Sequence, residues 1–177
     1  MNSLYCPRKK SELKILHIHR HAKSDWKTSD LRDFDRALNN RGQRDIVFMA
    51  DLFASKSPKI DLIMTSTASR AMTTAFAFAE SLNIKEGDID EHNDLYLAPL
   101  TELSKKVNNI DNEHEDVIIF GHNPGLSELV EYYTHESIEM PTCARAEVHF
   151  DVDDWQAVGS GTGRLVEFDY PKKHTIE

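Results

Sequence analysis

Two arginines and two histidines in this sequence are of the residue types that bind and transfer phosphoryl groups; they are Arg20, His21, Arg70 and His122. A guanidinium group pairs with two phosphate oxygens at once. A neutral imidazole can attack phosphorus through one ring nitrogen while the other holds its proton against an acceptor. The arginines would lower the pKa of His21 and so favour that neutral form. The set therefore predicts phosphoryl transfer to His21, with the other three side chains stabilising charge on the phosphoryl oxygens.

Such a site would use arginine and histidine where other phosphatases use a metal ion, so we expect neither a metal nor a cofactor. One alternative stays open, because His17, His19 and His21 alternate along the chain and could bind a metal from one strand face. Arg20 and Arg70 would repel a cation there, and no carboxylate cluster accompanies the histidines. We therefore interpret His17 and His19 as structural residues.

The four residues lie at or near the ends of predicted strands. Apolar runs at 13–19, 60–65 and 117–121 are typical of strands buried on both faces of a parallel sheet. Two more strands are predicted at 146–150 and 165–168. Arg20-His21 follows the first run, the segment 66–70 follows the second, and His122 follows the third.

Helical patterns separate these strands. Their apolar positions recur at helical spacing within 46–53, 71–82, 100–110 and 126–133, and Asn40 is a candidate cap for the first helix. Alternating strands and helices predict a three-layer α/β/α sandwich with a mostly parallel central sheet. Ligands of such sheets bind beyond the carboxyl ends of the strands, so we expect the four residues to meet in one crevice.

Length and charge restrict the class of protein further. The chain has 177 residues, enough for one domain, which we place at 13–171 between an extension at 1–12 and a tail at 172–177. The net charge of −9 argues against nucleic-acid binding. No signal peptide or membrane span is evident, and the two cysteines suggest reduced thiols. We expect a cytoplasmic protein that is a monomer or a weak dimer.

The segment 16–26, which includes Arg-His-Ala-Lys-Ser-Asp-Trp, resembles the opening motif of the histidine phosphatase superfamily, whose fold is phosphoglycerate mutase-like. The form of the motif resembles the SixA-type phosphohistidine phosphatase branch. Three later segments, 35–42, 66–75 and 120–125, resemble that branch in the same order. The resemblance covers about residues 13 to 130.

The resemblance implies that His21 is the phosphorylated nucleophile and that Arg20, Arg70 and His122 form the phosphate pocket. It also places Ser24 and Lys27 where relatives contact phosphate or substrate. The sequence departs from the family at Ala22, where glycine is commoner, and at the proton donor, which is usually a glutamate. Asp94 is the nearest candidate for this acid, and Glu91 is another.

The sequence has no clear candidate for the residue that protonates the leaving group. This favours a substrate with a P–N bond, because an imidazole leaves readily once it is protonated. The segments between the motifs are short, so no insertion is predicted to cover the site. Both points favour phosphohistidine on the surface of another protein. Two alternatives remain: a phosphatase or mutase acting on small phosphorylated molecules, and a regulatory module that binds phosphate without turnover.

Overall fold

A computed structural model describes residues 13–25 and 32–174. The predicted extension at 1–12 lies outside the described residues, as do Trp26, Lys27 and the last three residues. No helix in the part of the chain that the structure describes is long and apolar enough to cross a membrane.

Six strands form one mixed sheet; they are β1 (Lys14–Arg20), β2 (Leu62–Ser66), β3 (Ile89–His92), β4 (Asp116–Gly121), β5 (Arg145–Phe150) and β6 (Gly163–Asp169). The strand order is β3-β2-β4-β1-β5-β6. The first four strands in this order pair in parallel, whereas β5 and β6 are antiparallel to their neighbours. The predicted mostly parallel sheet is confirmed, with an antiparallel pair at one edge.

Four helices cover the two faces of the sheet; they are α1 (Asn40–Ala54), α2 (Ser69–Ser81), α3 (Leu100–Asn108) and α4 (Gly125–Thr134). Phe53 of α1 and Phe78 of α2 pack with Ile118 on one face. Leu103 of α3 and Leu126 of α4 belong to the core on the other face. The predicted three-layer sandwich is therefore confirmed. Helix α1 is capped by Asn39 rather than by Asn40, since the Asn39 side chain accepts a hydrogen bond from the Gly42 N–H.

The sheet register brings the predicted strand ends together. Arg20 at the end of β1 pairs with Gly121 at the end of β4, and β2 ends beside β4. The chain also enters β5 at this edge, because the Cys143 N–H donates to the His21 carbonyl over 3.0 Å. Residues following β1, β2 and β4 and residues preceding β5 can therefore contribute to a single pocket.

Candidate active site

A cavity of about 310 Å³ lies at this edge of the sheet. Its lining is largely cationic or polar and consists of Arg20, His21, Lys23, Ser24, Asp33, Arg36, Arg70, Leu97, His122, Asn123 and Thr142. All four residues expected to form a phosphate site are among them. This concentration of positive charge in a chain of net charge −9 suits an anionic ligand.

The His21 ring is held at both of its nitrogens. Nδ1 lies 2.7 Å from the Ala22 carbonyl oxygen, which can only accept, so Nδ1 carries the proton. Nε2 therefore has a free lone pair and accepts a hydrogen bond of 3.2 Å from Arg70 Nε. Burial and, to a smaller extent, the charges of the pocket arginines lower the pKa of His21 to about 3, against the opposing effect of the hydrogen bond to the Ala22 carbonyl. The imidazole is thus neutral at physiological pH, with Nε2 available to attack.

His122 is the second neutral ring of the pocket. Its centroid is 5.0 Å from that of His21, and its Nε2 lies 2.9 Å from the Ser66 hydroxyl oxygen. Burial, followed by the influence of His21 and Arg70, lowers the pKa of His122 to about 3. Its Nδ1 is buried and has no hydrogen-bond partner among the residues that the structure describes. When the Ser66 hydroxyl donates to Nε2, Nδ1 carries the proton and can donate to a ligand oxygen.

Two arginines reach the pocket from different elements. Arg20 ends β1, and its Nη1 donates to the Met140 carbonyl over 2.7 Å. Arg70 lies in the first turn of α2 and is almost fully buried. The Thr74 hydroxyl donates to the Arg70 carbonyl and accepts from the Ala22 N–H. Thr74 therefore connects the start of α2 to the backbone next to His21.

Asp33 and Arg36 were not expected in the site. Arg70 donates to the Asp33 carbonyl oxygen over 2.5 Å and to Asp33 Oδ2 over 2.8 Å. Arg36 Nη2 lies 2.7 Å from Asp33 Oδ1, and the Tyr96 hydroxyl donates to Oδ2 over 2.6 Å. Partial burial raises the pKa of Asp33, but the hydrogen bonds from Tyr96 and Arg70 outweigh it and leave the pKa lowered. Asp33 is therefore ionised at neutral pH and accepts the hydrogen bonds of both terminal nitrogens of Arg70.

One sequence signal could have indicated Arg36. It lies within the segment 35–42, which resembles the SixA-type branch, and it is a cation beside the first helix of an acidic chain. Asp33 offers no such signal, because it precedes that segment and belongs to no hydrophobic pattern.

The structure does not bring the expected acid Asp94 into this pocket. Its side chain is 59% exposed and its carboxylate lies 2.7 Å from Lys106 Nζ on α3. The hydrogen bond from Lys106 lowers the pKa of Asp94, which makes it a poor proton donor. The other candidate, Glu91, is exposed on the edge strand β3. The carboxylate beside Arg70 is that of Asp33, because Tyr96 and Arg70 hold it there.

Of the two residues expected to contact phosphate or substrate, the structure describes Ser24 but not Lys27. Ser24 is buried, lines the cavity and pairs through its backbone with Leu38 just before α1. Lys27 lies outside the described residues and stays a prediction.

His17 and His19 lie on the sheet face that α1 and α2 cover. His17 Nε2 is 2.8 Å from Asp116 Oδ1, and the His19 ring packs at 4.8 Å from Phe78 and 4.9 Å from Phe120 between ring centroids. Within residues 13–25 and 32–174, no three His, Cys, Asp or Glu side chains are grouped so that they could hold a metal ion. The contacts support a structural interpretation of both histidines.

Both the sequence and the fold of this chain are similar to those of known proteins. The sequence profile of the histidine phosphatase superfamily (branch 1) matches residues 16–96. The crystal structure of the putative phosphohistidine phosphatase SixA from Agrobacterium tumefaciens is 29% identical, with a TM-score of 0.73 over 89% of this chain and 98% of that one. The protein histidine phosphatase SixA in complex with tungstate is 20% identical and shares the fold, with a TM-score of 0.77 over 90% of this chain and 98% of that one. An uncharacterized chloroplastic protein of Arabidopsis thaliana is 26% identical over 80% of this chain and 68% of its own length.

Proposed function

We propose that this chain, whose residues 16–96 match the sequence profile of the histidine phosphatase superfamily (branch 1), hydrolyses phosphohistidine on other proteins through a covalent phosphohistidine intermediate at His21. The observation that carries this proposal is the state of His21. Its Nδ1 proton is held by the Ala22 carbonyl, and its Nε2 lone pair lies beside Arg70 in a cation-lined cavity.

In the first step, Nε2 of His21 attacks phosphorus in line with the substrate's P–N bond. A bond forms between Nε2 and phosphorus, the P–N bond of the substrate breaks, and its electron pair returns to the substrate imidazole. The His21 ring becomes cationic, and the proton stays on Nδ1, which keeps donating its hydrogen bond to the Ala22 carbonyl oxygen. Arg70 Nε loses its acceptor when Nε2 is phosphorylated and can donate to a phosphoryl oxygen instead.

In the second step, water attacks the phosphorylated His21. The bond between Nε2 and phosphorus breaks, its electron pair restores the neutral ring, and inorganic phosphate leaves with the oxygen of the water. Charge on the phosphoryl oxygens is stabilised in both steps by Arg20, Arg70 and Nδ1 of His122. Ser24, and Lys27 beyond the described residues, are proposed to contact the phosphate or the substrate.

The carboxylates of the site favour phosphohistidine over a phosphate ester. An alkoxide leaving group needs a proton from the enzyme, whereas a protonated imidazole leaves without an enzymic acid. Asp33 is the carboxylate among the described lining residues, and it is ionised between Arg70 and Arg36. Asp94 is bound to Lys106 away from the cavity. A substrate that carries its own proton on the leaving group fits this arrangement.

The test compares kcat/KM for a protein phosphorylated on histidine with kcat/KM for a series of sugar phosphates. We expect the phosphohistidine protein to be preferred by at least about tenfold, the ratio that 1.4 kcal/mol of transition-state stabilisation gives. A clear preference for the sugar phosphates would support the small-molecule alternative and reject the proposal. The His21→Ala variant is the control for contaminating phosphatases, and it should be inactive on every substrate.

A further inference from the structure

Leu97 has an unfavourable backbone conformation for a leucine. Its φ is 50°, in the left-handed region that glycine and asparagine adopt readily and other residues disfavour. Unfavourable backbone geometry persists where the surrounding structure imposes it, and it concentrates at functional sites. A leucine at this position is therefore unexpected from backbone geometry alone.

Burial in the core does not account for a leucine at position 97. Leu97 is 52% exposed, so its side chain contributes little to the core. An asparagine or a glycine at this position would suit the turn better and would leave less apolar surface in water.

The neighbours of Leu97 explain why the turn exists. On one side, the Tyr96 hydroxyl donates to Asp33, and the Tyr96 ring lies 5.4 Å from the His122 ring. On the other side, the buried Ala98 packs against α4 so closely that a Cβ at Gly125 would lie 2.2 Å from the Ala98 carbonyl oxygen. Both neighbours are held by these contacts, and Leu97 between them is one of the residues that line the cavity.

The rest of the cavity lining has a different chemistry. The other lining residues that the structure describes are charged or polar, whereas Leu97 is aliphatic. A phosphoryl group would be held by the arginines and histidines. An exposed leucine at the rim can contact only the part of a substrate that carries the phosphoryl group.

We propose that Leu97 selects the substrate by contacting an apolar side chain next to the phosphohistidine of a protein. This inference rests on the proposed function and specifies it further: the preferred phosphorylated proteins have an apolar residue beside the phosphorylated histidine. The contact would add binding energy without touching the reacting atoms, so it would act on KM rather than on kcat.

The test uses two synthetic peptides, each phosphorylated on one histidine, with leucines or serines flanking it. N-Phosphoimidazole is the third substrate, because it has the same P–N bond and no flanking residue. The variants are Leu97→Asn and Leu97→Gly, which suit a positive φ and should fold at least as well as the unaltered chain. Val47→Asn is the matched control, since Val47 is 59% exposed on α1 and does not line the cavity.

We expect Leu97→Asn and Leu97→Gly to raise KM for the leucine-flanked peptide by about tenfold, since losing most of one buried leucine contact corresponds to that ratio. Their activity on the serine-flanked peptide and on N-phosphoimidazole should stay within about twofold of the unaltered chain, as should every activity of Val47→Asn.

Equal changes on all three substrates, or no change on the leucine-flanked peptide, would overturn the role of Leu97 while leaving the proposed function intact. Failure of the unaltered chain to hydrolyse any of the three would overturn the proposed function, and the role of Leu97 with it.

Discussion

At the scale of single residues, the site depends on how Arg70 divides its hydrogen bonds. Its Nε donates a hydrogen bond to His21 Nε2, and its two terminal nitrogens donate to the carbonyl and carboxylate oxygens of Asp33. In the proposed reaction, a phosphoryl group bound at Nε2 of His21 would compete with the Asp33 carboxylate for the same guanidinium. Asp33 would therefore weaken anion binding in the resting site, although its backbone carbonyl accepts a hydrogen bond from Arg70.

Replacing Asp33 with asparagine should strengthen the binding of inorganic phosphate. The amide keeps the size of the side chain and the backbone carbonyl contact but removes one negative charge beside Arg70 and Arg36. We expect the inhibition constant for phosphate to fall by roughly fivefold, since a charge-assisted hydrogen bond is about twice as strong as a neutral one.

The control for this change is Asp35→Asn, because Asp35 pairs with the exposed Arg32 outside the cavity. An unchanged inhibition constant in Asp33→Asn would contradict the competition. A large loss of kcat confined to phosphate esters would instead identify Asp33 as a proton donor.

At the scale of elements, a close contact near the site joins α1 to the segment that follows β1. A Cβ at Gly42 would lie 2.2 Å from the Lys23 carbonyl oxygen. The Asn39 N–H donates to that same carbonyl over 2.9 Å. The absence of a side chain at Gly42 thus lets the helix N-terminus fix the backbone next to His21.

Gly42→Ala should lower the free energy of unfolding by about 1–3 kcal/mol, because overpacking at a backbone contact cannot relax without moving the segment 21–25. Helix propensity alone would predict a gain of up to about 1 kcal/mol, so the sign of the change distinguishes the two effects. Urea unfolding measures the difference, and kcat/KM should fall as well.

Gly87→Ala is the matched control, since a Cβ at Gly87 meets nothing within 4 Å. We expect its stability to stay within about 0.5 kcal/mol of the unaltered chain. A Gly42→Ala variant that is as stable and as active as Gly87→Ala would show that the close approach is not needed.

The sequence was informative where the hydrophobic pattern was strong. The apolar runs that became β1, β2 and β4 could be predicted because both faces of a central strand are buried. Strand β3 could not, because Ile-Asp-Glu-His is a short edge strand with two exposed acidic residues. The four residues of the proposed phosphate site could be predicted from their positions at or after the ends of strands. Tertiary packing, which no local pattern encodes, brings Asp33 and Leu97 to the cavity and brings Tyr96 to Asp33.

At the scale of the whole molecule, the fold buries several histidines in their neutral form. Burial lowers the pKa of His21 and of His122 to about 3, and it lowers that of His19 as well. In the unfolded chain these groups take up protons near pH 6.5. Between about pH 6.5 and pH 3 the unfolded chain therefore binds more protons, and the free energy of unfolding falls as the pH falls.

We expect His122→Gln to reduce this dependence. The unaltered chain should lose stability between about pH 7.5 and pH 5, with His122 accounting for at most about 2 kcal/mol of the loss. Chemical denaturation at the two pH values measures it. The variant should show a smaller difference between the two, and an identical difference would contradict a neutral, buried His122.

The most direct measurement of the central claim is the detection of phosphorylated His21. The protein is mixed with a radiolabelled phosphohistidine peptide and quenched with denaturant and base within milliseconds to seconds. We predict a phosphoenzyme that is stable in base and labile in acid, that maps to His21, that disappears during turnover and that is absent from His21→Ala. Turnover by the unaltered chain without any such intermediate, or label that persists in His21→Ala, would contradict the account.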